Sequence, residues 1–155
     1  MYHAVKSDFE KVKEIFYLHK KWFPHVRTDY MKRMIAKKNL ILENDVVITY
    51  NFYKRKQKIG DVQAFKGDCI LHQIVAKTKG TASDVLQRFF KFVIHSYVHF
   101  NPPLGRRVYL SVRSDNEMAK NFYLKNNMKL IGKTSWSKGT LPGDVFVYDP
   151  WTYET

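Results

Sequence analysis

One stretch of the sequence, VRSDNEMAKNFY at residues 112–123, decides the fold. An alternating apolar segment at residues 108–112 leads into it and predicts a strand near the centre of a sheet. Asp115 or Asn116 then offers a helix N-cap, because a short polar side chain accepts hydrogen bonds from the unpaired N–H groups of a first turn. Apolar residues follow at helical spacing, which predicts an amphipathic helix with an inner face of Met118, Ala119, Phe122 and Tyr123.

A second stretch, KTKGTA at residues 77–82, opens the strongest helical pattern of the chain. The apolar segment at residues 69–75 predicts a central strand in front of it. After Gly80, apolar residues recur at steps of three and four: Ala82, Val85, Leu86, Phe89, Phe90, Val93, Ile94 and Tyr97. The sequence NPPLG at residues 101–105 ends this element, because Pro and Gly interrupt regular structure.

The remaining elements are read outward from these two stretches. They are a short strand at residues 2–5, a helix from residue 9 to about Trp22, a second helix that Thr28 or Asp29 caps, a hairpin at residues 40–53, a basic loop at residues 54–58, a strand at residues 62–65, and two last strands at residues 130–136 and 145–148 joined by a Gly/Pro loop. This order predicts an α/β or α+β sheet with helices on its faces. No Ser/Gly/Pro-rich linker divides the chain, so we expect one domain over residues 1–155.

Composition excludes several classes of protein. Hydrophobic residues make up 45% of the 155 residues and aromatics 15%, which is enough for a buried core. The single cysteine, Cys69, excludes a disulfide framework and a multi-cysteine zinc site. No apolar run approaches the ~20 residues that a membrane span needs. Residues 1–7 hold no apolar signal segment, so we expect a cytoplasmic location.

The chain is strongly basic. Lys and Arg total 27 against 14 Asp and Glu, a formal net charge of +13. Such a charge is typical of solvated lysine-rich faces, and equally of a protein whose partner is anionic, such as nucleic acid, a nucleotide cofactor or an acidic surface. Charge alone does not choose between these readings.

The turn at residues 77–83 has the composition of a phosphate-binding loop. A helix N-terminus carries about half a positive charge and several unpaired N–H groups, and small residues let a pyrophosphate approach them closely. Gly80 and Ala82 are the small residues here. The hydroxyl and ammonium donors of the turn are Thr81, Ser83, Lys77 and Lys79. An ordinary strand-to-helix connection is the plain alternative.

Together the two stretches resemble the signatures of the GNAT acetyltransferases. The turn is similar to the acyl-CoA-binding signature Q/R-x-x-G-x-G/A, with Lys77 at the place of Gln or Arg. The later stretch, continued to Gly132, is similar to V-x-x-x-N-x-x-A-x-x-F-Y-x-x-x-G-F-x-x-x-G, with Asn127 and Met128 at the place of Gly-Phe. With the element order, the resemblance covers about residues 1–148. It implies a mixed, mostly antiparallel central sheet of six to seven strands flanked by about four helices.

The resemblance implies an N-acetyltransferase that moves an acetyl group from acetyl-CoA to an amine by direct attack in a ternary complex. In the family manner, Tyr123 would donate a proton to the departing thiolate, and the strand backbone would hold the pantetheine arm. The cofactor-binding residues that the resemblance implies are Gln73, Ile74, Val75, Lys77, Lys79, Gly80, Thr81, Ala82, Ser83, Asn116 and Phe122. Tyr123 as a packing aromatic and Asn116 as a plain helix cap are the structural alternatives.

The base that deprotonates the amine is less defined. Family members often use a carboxylate or histidine near the central strands, and His72 and Glu43 are the candidates here. A lone strand histidine is more often structural than catalytic. The six histidines show no convincing pattern of metal ligands, so we expect no metal.

A nucleic-acid function remains open beside the enzymatic one. Aromatic and basic residues mix at residues 16–33 and 50–58, where rings could stack on bases and cations could meet phosphates. The protein would then bind nucleic acid, or acylate tRNA or DNA. The acceptor would meet residues 22–28 and 136–144, although an interface of a homodimer would have the same composition, so monomer and homodimer both stay open.

Overall fold

The computed structural model describes residues 1–96 and 106–150. The predicted helix position Tyr97 and the predicted break at residues 101–105 lie outside the described residues. The helices are α1 (Phe9–Tyr17), α2 (Thr28–Ala36), α3 (Ala82–His95) and α4 (Glu117–Lys125). The strands are β1 (Leu40–Glu43), β2 (Val46–Phe52), β3 (Gln57–Ile59), β4 (Val62–Ala64), β5 (Cys69–Ala76), β6 (Val108–Arg113), β7 (Lys129–Trp136) and β8 (Leu141–Tyr148).

These elements form two compact units. The first comprises Met1–Asn51 and Leu71–Phe89, and the second comprises Phe52–Ile70 with the described part of Phe90–Thr155. Strand β5 contributes its first two residues to the second unit and the rest to the first. The expectation of one domain over residues 1–155 stays a prediction.

The first unit is built on the β1–β2 hairpin. Leu40 pairs with Thr49 in antiparallel register, and Asn44 and Asp45 form the tight turn at φ of 49° and 58°. Asn and Asp tolerate this left-handed region better than most residues. Helices α1 and α2 cover the unit with apolar faces at helical spacing. The buried residues of these faces are Val12, Ile15, Phe16, Met31, Met34 and Ile35.

The second unit is mostly antiparallel. The start of β5 runs parallel to β6, with Cys69 beside Val108, while β8 pairs antiparallel with both β6 and β7. The full strand order is β1-β2-β5-β6-β8-β7, and β3–β4 forms a separate two-stranded sheet. The predicted fold class, a mixed and mostly antiparallel sheet of six to seven strands flanked by about four helices, is confirmed. Within residues 1–96 and 106–150, the main sheet has six strands and there are four α-helices.

Three predictions near the N-terminus are wrong. Thr28 and Asp29 do not cap the second helix, because Thr28 is its first residue and Arg27 stands at the N-cap. The strand at residues 2–5 reduces to one isolated bridge between His3 and Ile41. Helix α1 ends at Tyr17 rather than near Trp22, because the apolar face stops at Phe16 and Leu18 is 58% exposed.

Two predictions near the C-terminus are corrected as well. Met118 is 73% exposed, because it stands five residues before the buried Tyr123 and so lies about 140° away around the helix. The Gly/Pro loop is shorter than expected, since Pro142 and Gly143 pair within β8 against Ser135 and Thr134. Gly143 lets the Trp136 ring lie against the strand, because a Cβ at this position would be 2.5 Å from that ring.

The predicted basic loop is also shorter. Residues 54–56 stay irregular, whereas Lys58 lies in β3 opposite Gln63.

Candidate functional site

The turn between β5 and α3 holds the residues predicted to bind pyrophosphate. Gly80 adopts φ +90°, a conformation that other residues rarely take, and is exposed. A Cβ added to Gly80 would find no atom within 4 Å among the described residues. The turn therefore offers an open approach to the N-terminus of α3, which begins at Ala82.

The polar side chains of this turn differ in their contacts and in their exposure. The Thr81 hydroxyl donates to the Thr78 carbonyl at 2.9 Å and closes the turn, so its hydrogen is already used. The Lys77 ammonium lies 3.3 Å from a Glu14 carboxylate oxygen. Lys79 and Ser83 are exposed. Lys79 is thus the cation of the turn for which the described residues offer no ion pair.

Gln73 lies in the middle of β5 and is buried at 8% exposure. Its side-chain oxygen accepts from the Tyr30 hydroxyl at 2.9 Å and from the Thr49 hydroxyl in a short contact. Its backbone N–H donates to Thr49 Oγ1 at 3.1 Å. Successive N–H groups of a strand point to opposite edges, so the N–H of Ile74 points away from this contact. The Val75 side chain is buried in the core of the first unit.

His72 lies beside Gln73 and is held by a chain of two amides. Asn39 donates to Asn51 Oδ1 at 2.7 Å, and the Asn51 amide nitrogen lies 2.8 Å from His72 Nε2. The Asn51 nitrogen only donates, so Nε2 accepts and the neutral ring carries its hydrogen on Nδ1. Desolvation of the ring lowers the pKa of His72, although part of the residue stays exposed. His72 is therefore neutral at pH 7.

These residues of β5 form one side of an open cleft of about 570 Å³. The other side comes from α2 and the segment before it, and the cleft residues from there are His25, Arg27, Asp29, Tyr30, Arg33, Met34 and Lys37. The predicted acceptor loop thus contributes His25 and Arg27 to the cleft. The second candidate base, Glu43, forms a short ion pair with Arg88 and accepts from the Tyr2 N–H, so its carboxylate is engaged.

The second unit carries three more predicted site residues, one at the N-cap of α4 and two within this helix. Asn116 is the N-cap of the helix and accepts from the Ala119 N–H at 3.2 Å. Tyr123 is 8% exposed and packs against Phe146, with ring centroids 5.7 Å apart. Its burial raises the pKa of the Tyr123 phenol. The predicted Phe122 is half-buried beside it.

Asp144 anchors the start of α4. Its carboxylate is 1% exposed, lies 2.6 Å from the Lys133 ammonium and 3.1 Å from the Lys120 ammonium, and accepts from the Ser114 hydroxyl at 2.9 Å. These contacts, that with Lys133 above all, lower the pKa of Asp144 to about 2.

Other chemistries are limited by the surroundings of their groups. Cys69 is fully buried, and burial raises the pKa of its thiol, which disfavours the reactive thiolate. Within residues 1–96 and 106–150, no group of three or more His, Cys, Asp and Glu side chains is placed to hold a metal ion. None of the helices in that part of the chain is both long and apolar enough to span a bilayer.

Comparison with known proteins identifies the architecture. No protein-family model matches the sequence, and no curated protein matches it. A putative GNAT-family acetyltransferase from Desulfovibrio desulfuricans is similar in structure with a TM-score of 0.68 at 11% identity, over 94% of each chain. The chain has the GNAT fold. A ribosomal-protein-alanine N-acetyltransferase from Brucella melitensis gives a TM-score of 0.67 at 10% identity, over 95% of this chain and 97% of that chain.

A third structure with this fold contains a ligand. Arabidopsis thaliana NAA60 in complex with acetyl-CoA gives a TM-score of 0.64 at 15% identity, over 94% of each chain. At such identities the likeness establishes the GNAT fold.

Two residues differ from the GNAT signature, and the structure shows the conformation of one and the burial of the other. Asn127 stands at the place of the signature's Gly and adopts φ 68°, a conformation that Gly takes freely and Asn tolerates. Met128 stands at the place of Phe and is buried at 2% exposure. Both departures therefore keep the physical role of the residue they replace.

Sequence reasoning missed the α2 side of the cleft. Tyr30, Arg33 and Lys37 recur at steps of three and four, which places them on one flank of α2. That spacing was the available signal, but a solvated helix flank has the same pattern. Asn39 and Asn51, which hold His72, gave no sequence signal.

Proposed function

We propose that this chain is an N-acetyltransferase that transfers an acetyl group from acetyl-CoA to an amine. The observation that carries the proposal is the turn after β5, where exposed Gly80 at φ +90° opens onto the N-terminus of the 14-residue helix α3. Unpaired N–H groups and a partial positive charge at such a terminus suit a pyrophosphate. The same fold holds acetyl-CoA in Arabidopsis thaliana NAA60.

Strand β5 lines the cleft and leads directly into the turn, which supports one extended acetyl-CoA molecule bound along this strand. Gln73 lines the cleft and Ala76 leads into the turn, a span of about 10 Å at 3.3 Å per residue. We assign the backbone of Gln73, Ile74 and Val75 to the pantetheine arm. The Gln73 N–H already donates to Thr49, so the N–H of Ile74 is the donor that would polarise the thioester carbonyl.

We assign the remaining predicted residues of the turn to the phosphates of the cofactor. Lys79 supplies mobile positive charge to the phosphates, and Lys77 does so only by giving up its ion pair with Glu14. The backbone N–H groups of Thr81, Ala82 and Ser83 supply donors at the start of α3.

The transfer itself is direct. The lone pair of the acceptor nitrogen attacks the acetyl carbonyl carbon, and a C–N bond forms. The C–S bond breaks, its electron pair leaves with sulfur as the coenzyme A thiolate, and the nitrogen gives up one proton to a base. No covalent enzyme intermediate is needed, which agrees with the buried thiol of Cys69.

His72 is the proposed acceptor of the amine's proton, and its surroundings set a condition on that role. A neutral imidazole is basic, but the Nε2 lone pair faces the Asn51 amide. Proton uptake at Nε2 therefore requires this contact to open. We expect Asn51→Ala to keep or raise turnover and His72→Gln to lower it, measured as thiol release across pH 6–9. Equal turnover in wild type and His72→Gln would remove His72 from the reaction.

Tyr123 is the proposed donor to the leaving sulfur. Its raised pKa keeps the phenol protonated, so its hydroxyl remains a hydrogen-bond donor. A thiol has an ordinary pKa near 8.5, so a phenol of higher pKa transfers its proton uphill and acts mainly by donating a hydrogen bond to the developing thiolate. Asn116 and Phe122 are assigned to the cofactor on the strength of the resemblance.

Binding is tested first, by native mass spectrometry of the purified protein. We expect a one-to-one adduct with acetyl-CoA and with coenzyme A. Failure of either to bind at millimolar concentration would reject the proposal. The alternative of binding or acylating nucleic acid finds no support in the comparisons and stays a prediction, as do the cytoplasmic location and the oligomeric state.

A further inference from the structure

The cleft beside β5 carries a concentration of positive charge that acetyl transfer does not itself require. Arg27, Arg33 and Lys37 line it, against a single carboxylate, Asp29. Among the described residues, none of these three cations forms an ion pair with a carboxylate, although the same unit pairs Lys11 with Asp45. Unpaired cations around a concave surface favour an anionic ligand, because the low-dielectric walls concentrate their field.

Arg33 is also held in place for such a ligand. Its guanidinium carbon lies 5.6 Å from the centroid of the Tyr30 ring. The Tyr30 hydroxyl is in turn fixed to Gln73 on β5 at 2.9 Å. A stacked guanidinium loses little freedom on binding, and its planar fork matches the two oxygens of a carboxylate or phosphate.

The two sides of the cleft differ in chemistry. The α2 side is cationic, whereas the β5 side presents neutral polar groups of Gln73 and of His72, whose lowered pKa keeps it uncharged at pH 7. The volume of about 570 Å³ lies within the range of small-molecule pockets. A small ligand with an anionic end and an uncharged, nucleophilic end would therefore orient itself across the cleft.

We propose that the acceptor is a small amine that carries a carboxylate or a phosphate group. Arg27, Arg33 and Lys37 bind the anionic group, and the amine end then faces β5, the strand that leads to the turn at residues 77–81. This inference rests on the proposed function, because the bound amine is an acceptor only if the chain transfers acetyl groups. The binding of an anionic amine can be measured without turnover.

The binding test uses matched pairs of probes in calorimetric titrations at low salt. O-phosphoethanolamine is compared with ethanolamine, and β-alanine with β-alaninamide, so the two pairs separate phosphate from carboxylate. We expect the anionic member of at least one pair to bind tenfold or more tightly than its neutral analogue. Arg33→Gln should abolish that preference, and Lys37→Gln should reduce it.

Two control variants locate the effect. Lys32→Gln removes the same charge from the same helix, outside the cleft, and should keep the preference. Gly80→Glu should also keep it, because it disturbs the turn and not the cleft. Equal binding of charged and neutral probes, or a preference that survives Arg33→Gln, would overturn the inference.

Turnover separates this inference from the proposed function. If acetyl-CoA binds and neutral amines are acetylated as fast as anionic ones, the acceptor class is wrong and the acetyltransferase proposal stands. If anionic amines bind through Arg33 but acetyl-CoA does not bind, the cleft is an anion site and the acetyltransferase proposal fails.

Discussion

Replacing Gly80 by Glu should weaken coenzyme A binding without unfolding the protein. Gly80 is at φ +90°, and an added Cβ would have no atom of residues 1–96 or 106–150 within 4 Å, so the side chain fits there and the backbone is strained. A non-glycine residue in that conformation costs about 1–2 kcal/mol. Gly139 provides a matched control, because it has φ +89° and equally open surroundings. Gly139→Glu should lose the same stability.

The effect on binding comes from charge. A carboxylate about 6 Å from a pyrophosphate of charge about −2 is repelled by about 1.4 kcal/mol at the dielectric constant of water and by about 5.5 kcal/mol at an effective value of about 20. The first figure alone weakens binding about tenfold. We therefore expect the Kd of coenzyme A to rise at least tenfold in Gly80→Glu, and to fall back as added salt screens the repulsion.

The assay is isothermal titration of coenzyme A into both variants and wild type, with thermal unfolding recorded alongside. Gly80→Glu and Gly139→Glu should unfold at similar temperatures, while only Gly80→Glu loses affinity. Wild-type affinity in a folded Gly80→Glu protein, or an equal loss in Gly139→Glu, would refute the placement of the pyrophosphate at this turn.

Two further outcomes follow from the second unit. Tyr123→Phe should keep coenzyme A affinity and lower kcat by about 10- to 10²-fold, the worth of one hydrogen bond to a charged acceptor; unchanged kcat in a thiol-release assay would leave Tyr123 a packing residue. Asp144→Asn should lower the free energy of unfolding by about 2 kcal/mol at pH 7, since the folded pKa of Asp144, about 2, is below the ordinary 3.8. The control Glu117→Gln removes an exposed contact to Lys120 and should change the free energy of unfolding by less than about 0.5 kcal/mol. Because a depressed pKa stabilises the fold above the unfolded value, this difference should vanish as the pH falls from 4 to 2 in urea titrations, and a difference that persists at pH 2 would assign it to packing.

The sequence predicted those elements whose signals are local. The cap at Asn116 is confirmed because cap, first turn and apolar face lie within a few residues. The hairpin at residues 40–53 is confirmed for the same reason, with its turn at Asn44 and Asp45. The strand expected at residues 2–5 is wrong because a strand needs continuous backbone pairing, and within the described residues this segment forms one isolated bridge, between His3 and Ile41.

The cleft could be predicted only in part for a similar reason. The buried side of α2 follows from its apolar residues, but Arg33 and Lys37 have the pattern of a solvated flank until β5 is placed beside them. The contact between Asn51 and His72 joins residues 21 positions apart, and nothing in either neighbourhood specifies it. Tyr123 was found because the resemblance singled it out, while its burial follows from packing against β8.

Direct acetyl transfer to an amine is best tested by quantifying both products of one reaction. The protein is incubated with carbonyl-labelled acetyl-CoA and the anionic and neutral amines used above, and free coenzyme A and N-acetylated amine are quantified together by mass spectrometry. We expect equal amounts of the two products from wild type, with no label retained on the protein. Free coenzyme A without acetylated amine, or label trapped on the chain, would contradict it.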